Sequence, residues 1–395
     1  MSNKVEKKSS LSIYLSKPVS LYYMLLGSSL ALSFMGLIMV FSASSIHSLE
    51  TKGNTYAIVL RQFIFFVISL PLGFLASRLS ITHWQRLAKK SLMLALIVLA
   101  VVQIPGVGKS VNGNHNWISL GFVDVQPSEI AKFLLILWAA YMLATRERSG
   151  VVQANVLLLI APGFAAAMVL ILLGNDLGTA SVFAAILAGL LWVSGVPMRL
   201  FAFVTSIGFA GIATLIVTSP NRAQRFLVVL HPFATADYKN AGWQPAHSLL
   251  GLASGGLFGV GLGASRQKWG NLAEAHTDFI FSVIGEELGL VGTIGVLLLF
   301  AALIFAIFKI AMRTHEPLVR YACSGIGCWM TIQVVLNIGS ALSLLPVVGV
   351  TLPFLSYGGS ALVSTYCGIG FVLGAARRDP RIYEELKRSK FPWLA

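Results

Sequence analysis

Only 15 Asp and Glu side chains occur in 395 residues. Glu129, Asp176, Asp278, Glu286 and Glu287 stand inside or at the rim of long apolar runs. A carboxylate in such a place is costly and is usually functional or paired. Asp278, in Glu274-Ala-His-Thr-Asp278-Phe-Ile-Phe, closes a polar loop and opens an apolar run that reaches Ala311. Two chemistries fit it: a charge that caps a helix N-terminus, or a general base facing the loop. Glu286 and Glu287 follow roughly 12 Å deeper if the run is helical. Helical geometry then turns Glu286 about 80° from Asp278 and Glu287 to the other side. This predicts a loop-side cavity with Asp278 at its mouth and Glu286 beneath.

Other residues offer a similar choice. In Gln126-Pro-Ser-Glu129-Ile-Ala-Lys132, the acid and the base share a helix face, as a neutralised pair or as the lining of a polar cavity. Asp176, in Asn175-Asp176-Leu-Gly-Thr179, is an N-cap or another outer carboxylate of the site. Arg222 and Arg225 share a face if helical, and either snorkel at the interface or grip phosphate through their planar forks. The stretch from Pro346 to Ser360 contains Gly349, Pro353, Ser356, Gly358 and Gly359. It breaks an apolar segment, for packing or to expose backbone groups at a site.

Several chemistries are missing. There is no Walker motif, HExxH, Gly-x-Ser-x-Gly elbow or CxxC pair, and the histidines have no metal-ligand spacing. Cys323, Cys328 and Cys367 all lie in apolar runs, which fits neither a disulfide framework nor a thiolate metal site.

The elements that must position these residues are membrane helices. The chain is 56% hydrophobic and 11% charged, which makes it an all-α polytopic membrane protein. About ten apolar segments are long enough to span, near 22–45, 57–76, 88–105, 129–145, 154–173, 177–194, 198–217, 279–311, 318–341 and 352–375. The first is too long for a signal-peptide core and reads as an uncleaved span. Most of the 29 basic residues fall on alternate loops and on both tails. By the positive-inside rule both ends are cytoplasmic. The organisation expected is a cytoplasmic tail over 1–21, a ten-span domain over 22–375 and a basic cytoplasmic tail over 376–395. Outside lie the segment 104–128 and a large loop over 218–277, between the seventh and eighth spans. The net charge of +14 is thus an orientation signal that also attracts anionic membrane lipids, with no nucleic acid implied.

The motifs together resemble the SEDS family (shape, elongation, division and sporulation) of bacterial membrane glycosyltransferases that polymerise peptidoglycan from lipid II. The resemblance runs from Met39 to Arg378. It rests on Gln126 to Lys132, Asp176 to Thr179, Gly255 to Gly263, Gln267-Lys268, Glu274 to Phe281, Asn337 to Gly339 and Leu352 to Ser360. The wording around Asp278 and Gly285-Glu-Glu-Leu is closer to the division-type members than to the elongation-type ones. Asn116, Ala273 and His247 depart from the usual pattern and bear on subtype and loop contacts.

The resemblance implies that Asp278 matches the family's essential extracellular aspartate. Beside it, Arg222, Arg225, Lys268, Glu129, Lys132, Asp176 and Ser356 are read as the substrate contacts. The donor would be a sugar on a lipid pyrophosphate, which leaves without protonation, so a single base suffices. Cationic side chains, or a Mg²⁺ or Mn²⁺ held with the pyrophosphate, would stabilise the leaving oxygen; no protein-only metal site is readable. Implied partners are lipid II, the nascent glycan strand, other division proteins and a class B penicillin-binding protein (a transpeptidase), at the septum. The alternative is a flippase or transporter of lipid-linked precursors. A flippase needs a polar route through both leaflets, whereas these polar residues gather at the outer face.

Overall fold

In hydrocarbon every backbone polar group must find its partner within the protein, so apolar runs fold as helices. The computed structural model describes residues 17–111, 113–119, 121, 123–150, 155–235 and 238–389. Most of the expected tail at 1–21 and the last residues of that at 376–395 lie outside them. In chain order the elements begin with α1 (Val19–Lys52), α2 (Ala57–Arg78) and α3 (Ile81–Val102). Then come strands β1 (Gly108–Val111), β2 (Asn114–Ser119) and β3 (Asp124–Val125). Next are α4 (Pro127–Ser149), α5 (Val156–Leu173), α6 (Leu177–Val193), α7 (Met198–Val217), α8 (Pro220–Leu227) and α9 (Trp243–Ser254). The chain closes with α10 (Ile280–Arg313), α11 (Pro317–Ala341), α12 (Gly359–Arg377) and α13 (Pro380–Lys387).

Ten of the described helices have 17 residues or more, and they fall on the ten apolar runs. Eight are apolar and long enough to span by composition; α6 is short, and α3 carries Arg86, Lys89 and Lys90. The protein is therefore an all-α polytopic membrane protein with one addition. The segment over 104–128, expected as loop, contains a three-stranded antiparallel sheet in the order β1-β2-β3. Its two outer strands are joined across the middle one by Lys109 and Asp124 at 2.9 Å.

The helix ends follow local chemistry. Gly53 ends α1 in the left-handed region, which suits a residue without Cβ. Asn155 and Asp176 cap α5 and α6 by accepting from Leu157 N and Thr179 N. Pro127 occupies the first turn of α4, where its missing N–H is no loss. Within the bundle α2 and α12 pack backbone to backbone, with Gly370 against Gly73 and Gly374 against Ser77, the close approach that small residues permit in membranes. Helix α7, by contrast, has no buried residue.

The run over 279–311 reads as one continuous span, but α10 is two half-helices joined at Gly289, whose φ is +66°. The large loop folds back into this break. Val260 N and Gly261 N donate to Glu286 O and Glu287 O at 2.9 and 3.1 Å, while Leu290 N and Val291 N donate to Gly256 O and Leu257 O. The loop thus supplies the partners that an unbroken helix would have supplied from within.

Candidate active site

Asp278 does not belong to the helix that follows it. It sits in a turn, and the residue capping α10 is Phe279, with no side-chain cap bond. The capping role open to Asp278 on sequence grounds is therefore not the one it plays, and helical angles do not reach it. Glu286 and Glu287 turn instead toward the re-entrant loop. Glu286 accepts from Ser265 Oγ (2.5 Å), Arg266 N (2.9 Å) and Gln267 N (3.4 Å). Glu287 accepts from Ser42 Oγ (2.6 Å) and Ser265 N (3.3 Å) and faces Lys268 Nζ at 3.6 Å. The cavity expected with Glu286 beneath Asp278 is filled by this clasp.

What holds Asp278 is the turn's own backbone and the broken segment before α12. Glu274 O accepts from the N–H groups of Thr277, Asp278 and Phe279. Three consecutive carbonyls are then pinned from outside the turn. Tyr357 N donates to His276 O (2.9 Å), Ser356 Oγ to Thr277 O (2.5 Å) and Asn337 Nδ2 to Asp278 O (2.9 Å). Ser356 Oγ also accepts from Leu352 N at 2.8 Å. Gln62, buried in α2, clamps the same segment with both ends of its amide, to Ser356 O and from Gly358 N, at 3.2 Å each. The break before α12 is thus a mount for the aspartate.

The carboxylate itself is half-buried and accepts no hydrogen bond from the described residues. Loss of water around it, then repulsion by Glu274 and Asp176, pushes its pKa up to about 7; Arg225 pulls the other way. A carboxyl poised near neutrality is suited to take a proton. His276, stacked on His47 (5.5 Å) and with the tilted ring of Tyr357 at 5.7 Å, moves the opposite way. Burial, opposed by Glu274 and reinforced by His47 and Lys52, brings its pKa down to about 4.

Asp176, Arg222 and Arg225 gather on the same side as Asp278. Asp176 caps α6 and accepts from Thr179 Oγ1 (2.7 Å), Asn116 Nδ2 (2.5 Å) and Gln126 Nε2 (3.4 Å). Arg222 donates to Leu215 O and Asn175 O, each at 3.4 Å. Arg225 is exposed on α8. Three expected contacts lie apart. Lys268 is buried, donating to Gly263 O at 2.5 Å within the loop clasp. Glu129 and Lys132 pair at 2.8 Å in the bundle, with Lys132 Nζ 5.4 Å from the Trp329 ring. Trp329 is eight residues from Asn337 along α11, roughly 12 Å deeper. Sequence reasoning missed Gln62, Asn337 and His276 as parts of the site. A lone amide inside an apolar run, as at Gln62, was the available signal.

The fold and this site define a class: a many-spanning membrane protein with an unencumbered carboxylate on a turn wedged between broken helices. The family model described as "Cell cycle protein" (FtsW, RodA, SpoVE) matches residues 22–380. The chain belongs to that family. It is 33% identical over 377 residues to a probable peptidoglycan glycosyltransferase FtsW of Mycobacterium tuberculosis, covering 95% of this chain and 72% of that one. It is 35% identical to the stage V sporulation protein E of Bacillus subtilis, covering 88% and 94%. Among solved structures, the rod shape determining protein RodA of Thermus thermophilus is 30% identical with a TM-score of 0.67, covering 90% and 96%. A chain from a peptidoglycan synthase complex that coordinates polymerization and crosslinking matches equally well, at 30% identity and 0.67, covering 89% and 98%.

Proposed function

We propose that this chain is a peptidoglycan glycosyltransferase that joins lipid II disaccharides into glycan strands at the outer face of the cytoplasmic membrane during division. The observation that carries the reading is Asp278: pinned through three carbonyls, its carboxylate free and its pKa near 7. Asp278 takes the proton from the acceptor sugar hydroxyl as that oxygen attacks the anomeric carbon of the donor. The lipid pyrophosphate leaves with the bonding electrons. Arg225, whose field reaches Asp278, and Arg222 beside it face the developing charge. A Mg²⁺ or Mn²⁺ ion bound with the pyrophosphate would add Lewis-acid stabilisation there. Among the described residues no group of three or more His, Cys, Asp or Glu could hold such an ion without substrate.

Charge on the loops supports cytoplasmic ends and an outer site. Relatives named FtsW support a division role at the septum. The similar chain from a synthase complex supports a crosslinking partner of the class B penicillin-binding type. The test is purified protein with labelled lipid II, with and without that transpeptidase. Glycan ladders are expected from wild type and none from Asp278→Asn, since a lost general base costs about 10²–10⁴ in rate. Equal ladders from both would end the assignment of Asp278. No wild-type product in either mixture would end the polymerase reading in favour of a lipid flippase.

A further inference from the structure

Besides Ser44 Oγ and Gln267 Oε1, five buried side-chain oxygens lack any hydrogen-bond partner among the described residues: Asn337 Oδ1, Gln333 Oε1, Glu129 Oε2, Ser128 Oγ and Asn116 Oδ1. Four of their side chains are at most 5% exposed, where an unsatisfied acceptor is expensive. Their orientation is fixed by the other ends of the amides. Asn337 Nδ2 donates to Asp278 O and Val350 O, Gln333 Nε2 to Thr351 O, and Asn116 Nδ2 to Asp176 Oδ2. The oxygens are therefore the free ends, and each calls for a donor.

They also form a row. Asn337 and Gln333 lie one turn apart on a single face of α11, about 6 Å, the span bridged by one water at two hydrogen bonds. Helices α4 and α11 cross antiparallel, with Gly325 against Ile136 and Trp329 against Lys132. Continuing that register by one turn sets Gln333 opposite Ser128 and Glu129. Ser128 and Asn116 in turn line one crevice, with Gln103 and Asp176, whose volume of 10 Å³ is room for about one water. At the other end, the segment hung from Asn337 and Gln333 places Gly349 so that Asp278 Oδ2 lies 3.8 Å from where a Cβ on it would stand.

We infer that these oxygens hold a file of water molecules that carries the proton taken up by Asp278 to the crevice at Asn116. The inference rests on Asp278 being the base. Each bond formed releases one proton: the acceptor O–H breaks, Asp278 is protonated, and its proton passes along the water file to solvent. Asp278 is thereby restored as a carboxylate while sugars still fill the mouth.

X-ray hydroxyl-radical footprinting of the purified full chain tests the water directly, because buried side chains are oxidised only where water is bound. Trp329, 0% exposed beside the row, should be oxidised faster than Trp138, which is 8% exposed. Gln333→Leu should abolish that labelling. In lipid II polymerisation, Gln333→Leu and Ser128→Ala should each lower kcat several-fold, leave KM unchanged and enlarge the solvent deuterium effect. Trp329 less labelled than Trp138 in wild type would refute the file, whatever the variants do. Labelling as expected, with both variants at wild-type rate and isotope effect, would refute its role as proton exit. Failure of Asp278→Asn to slow polymerisation, with Trp329 still labelled, would instead remove the base and leave the water standing.

Discussion

A carboxylate kept half-covered near like charges is held in its neutral form over part of the physiological range, and Asp278 has that setting. If it acts as base, kcat/KM should rise roughly tenfold per pH unit below its pKa of about 7 and level off above it. Stability should run the other way. The folded pKa lies above the unfolded value, so the stabilising contribution is complete near pH 4 and is lost as pH rises through about 7. Asp278→Asn should therefore melt no lower than wild type at pH 8, and the gap should close at pH 5. A mutant markedly less stable at pH 8 would mean that the charge is needed for the fold. Glu129 and Lys132 invite a paired comparison. Glu129→Ala leaves a buried ammonium and should reduce folded yield more than the double Ala variant; additive losses would argue against pairing. At this scale the sequence was legible where partners are close in the chain, as for Glu129 with Lys132 and Asp176 with Thr179. It was silent on Gln62 and on what Asn337, visible only as part of a motif, would hold; their partners lie 294 and 59 residues away.

Apolar length and turn chemistry placed the ten long helices, because each element satisfies its own backbone. The break in α10 escaped that reasoning, because its cause is a segment some 30 residues earlier. The trace it leaves is a pattern of glycines. At Gly255, Gly259, Gly285 and Gly289 an added Cβ would collide with the opposing chain, three times with its backbone and at Gly285 with the Leu252 side chain. Gly289→Ala adds a left-handed penalty of about 1–2 kcal/mol to that collision. It should lower detergent-solubilised folded yield, measured by size exclusion, far more than Gly295→Ala, where nothing lies within 4 Å. Equal yields would show that the loop does not enter the break tightly. The irregular segment before α12 was easier to see, since Pro346, Pro353 and its glycines announce it; that it holds the Asp278 turn was not visible.

For the molecule as a whole the open quantity is orientation, and the charge bias makes a definite forecast. A membrane-impermeant maleimide applied to intact cells should label Asn271→Cys, exposed near Asp278, but not Ser149→Cys at the other end of α4. The native Cys323, Cys328 and Cys367 all lie within helices and none is exposed, which keeps the background low. Labelling of Ser149→Cys from outside would invert the topology and move the site to the cytoplasm. The clasp in α10 also sets an order of events during synthesis. Two carboxylates in the first third of a membrane run each weigh against insertion, by about 2.5–3.5 kcal/mol at a helix centre; Glu286 meets its donors on the loop over 260–268, and Glu287 on that loop and on Ser42 of α1. That loop is translated first and has nowhere to dock until α10 arrives. The first half of α10 should therefore leave the insertion machinery late, carried in by the loop rather than by its own hydrophobicity, and the aspartate turn would be the last part of the bundle to take shape.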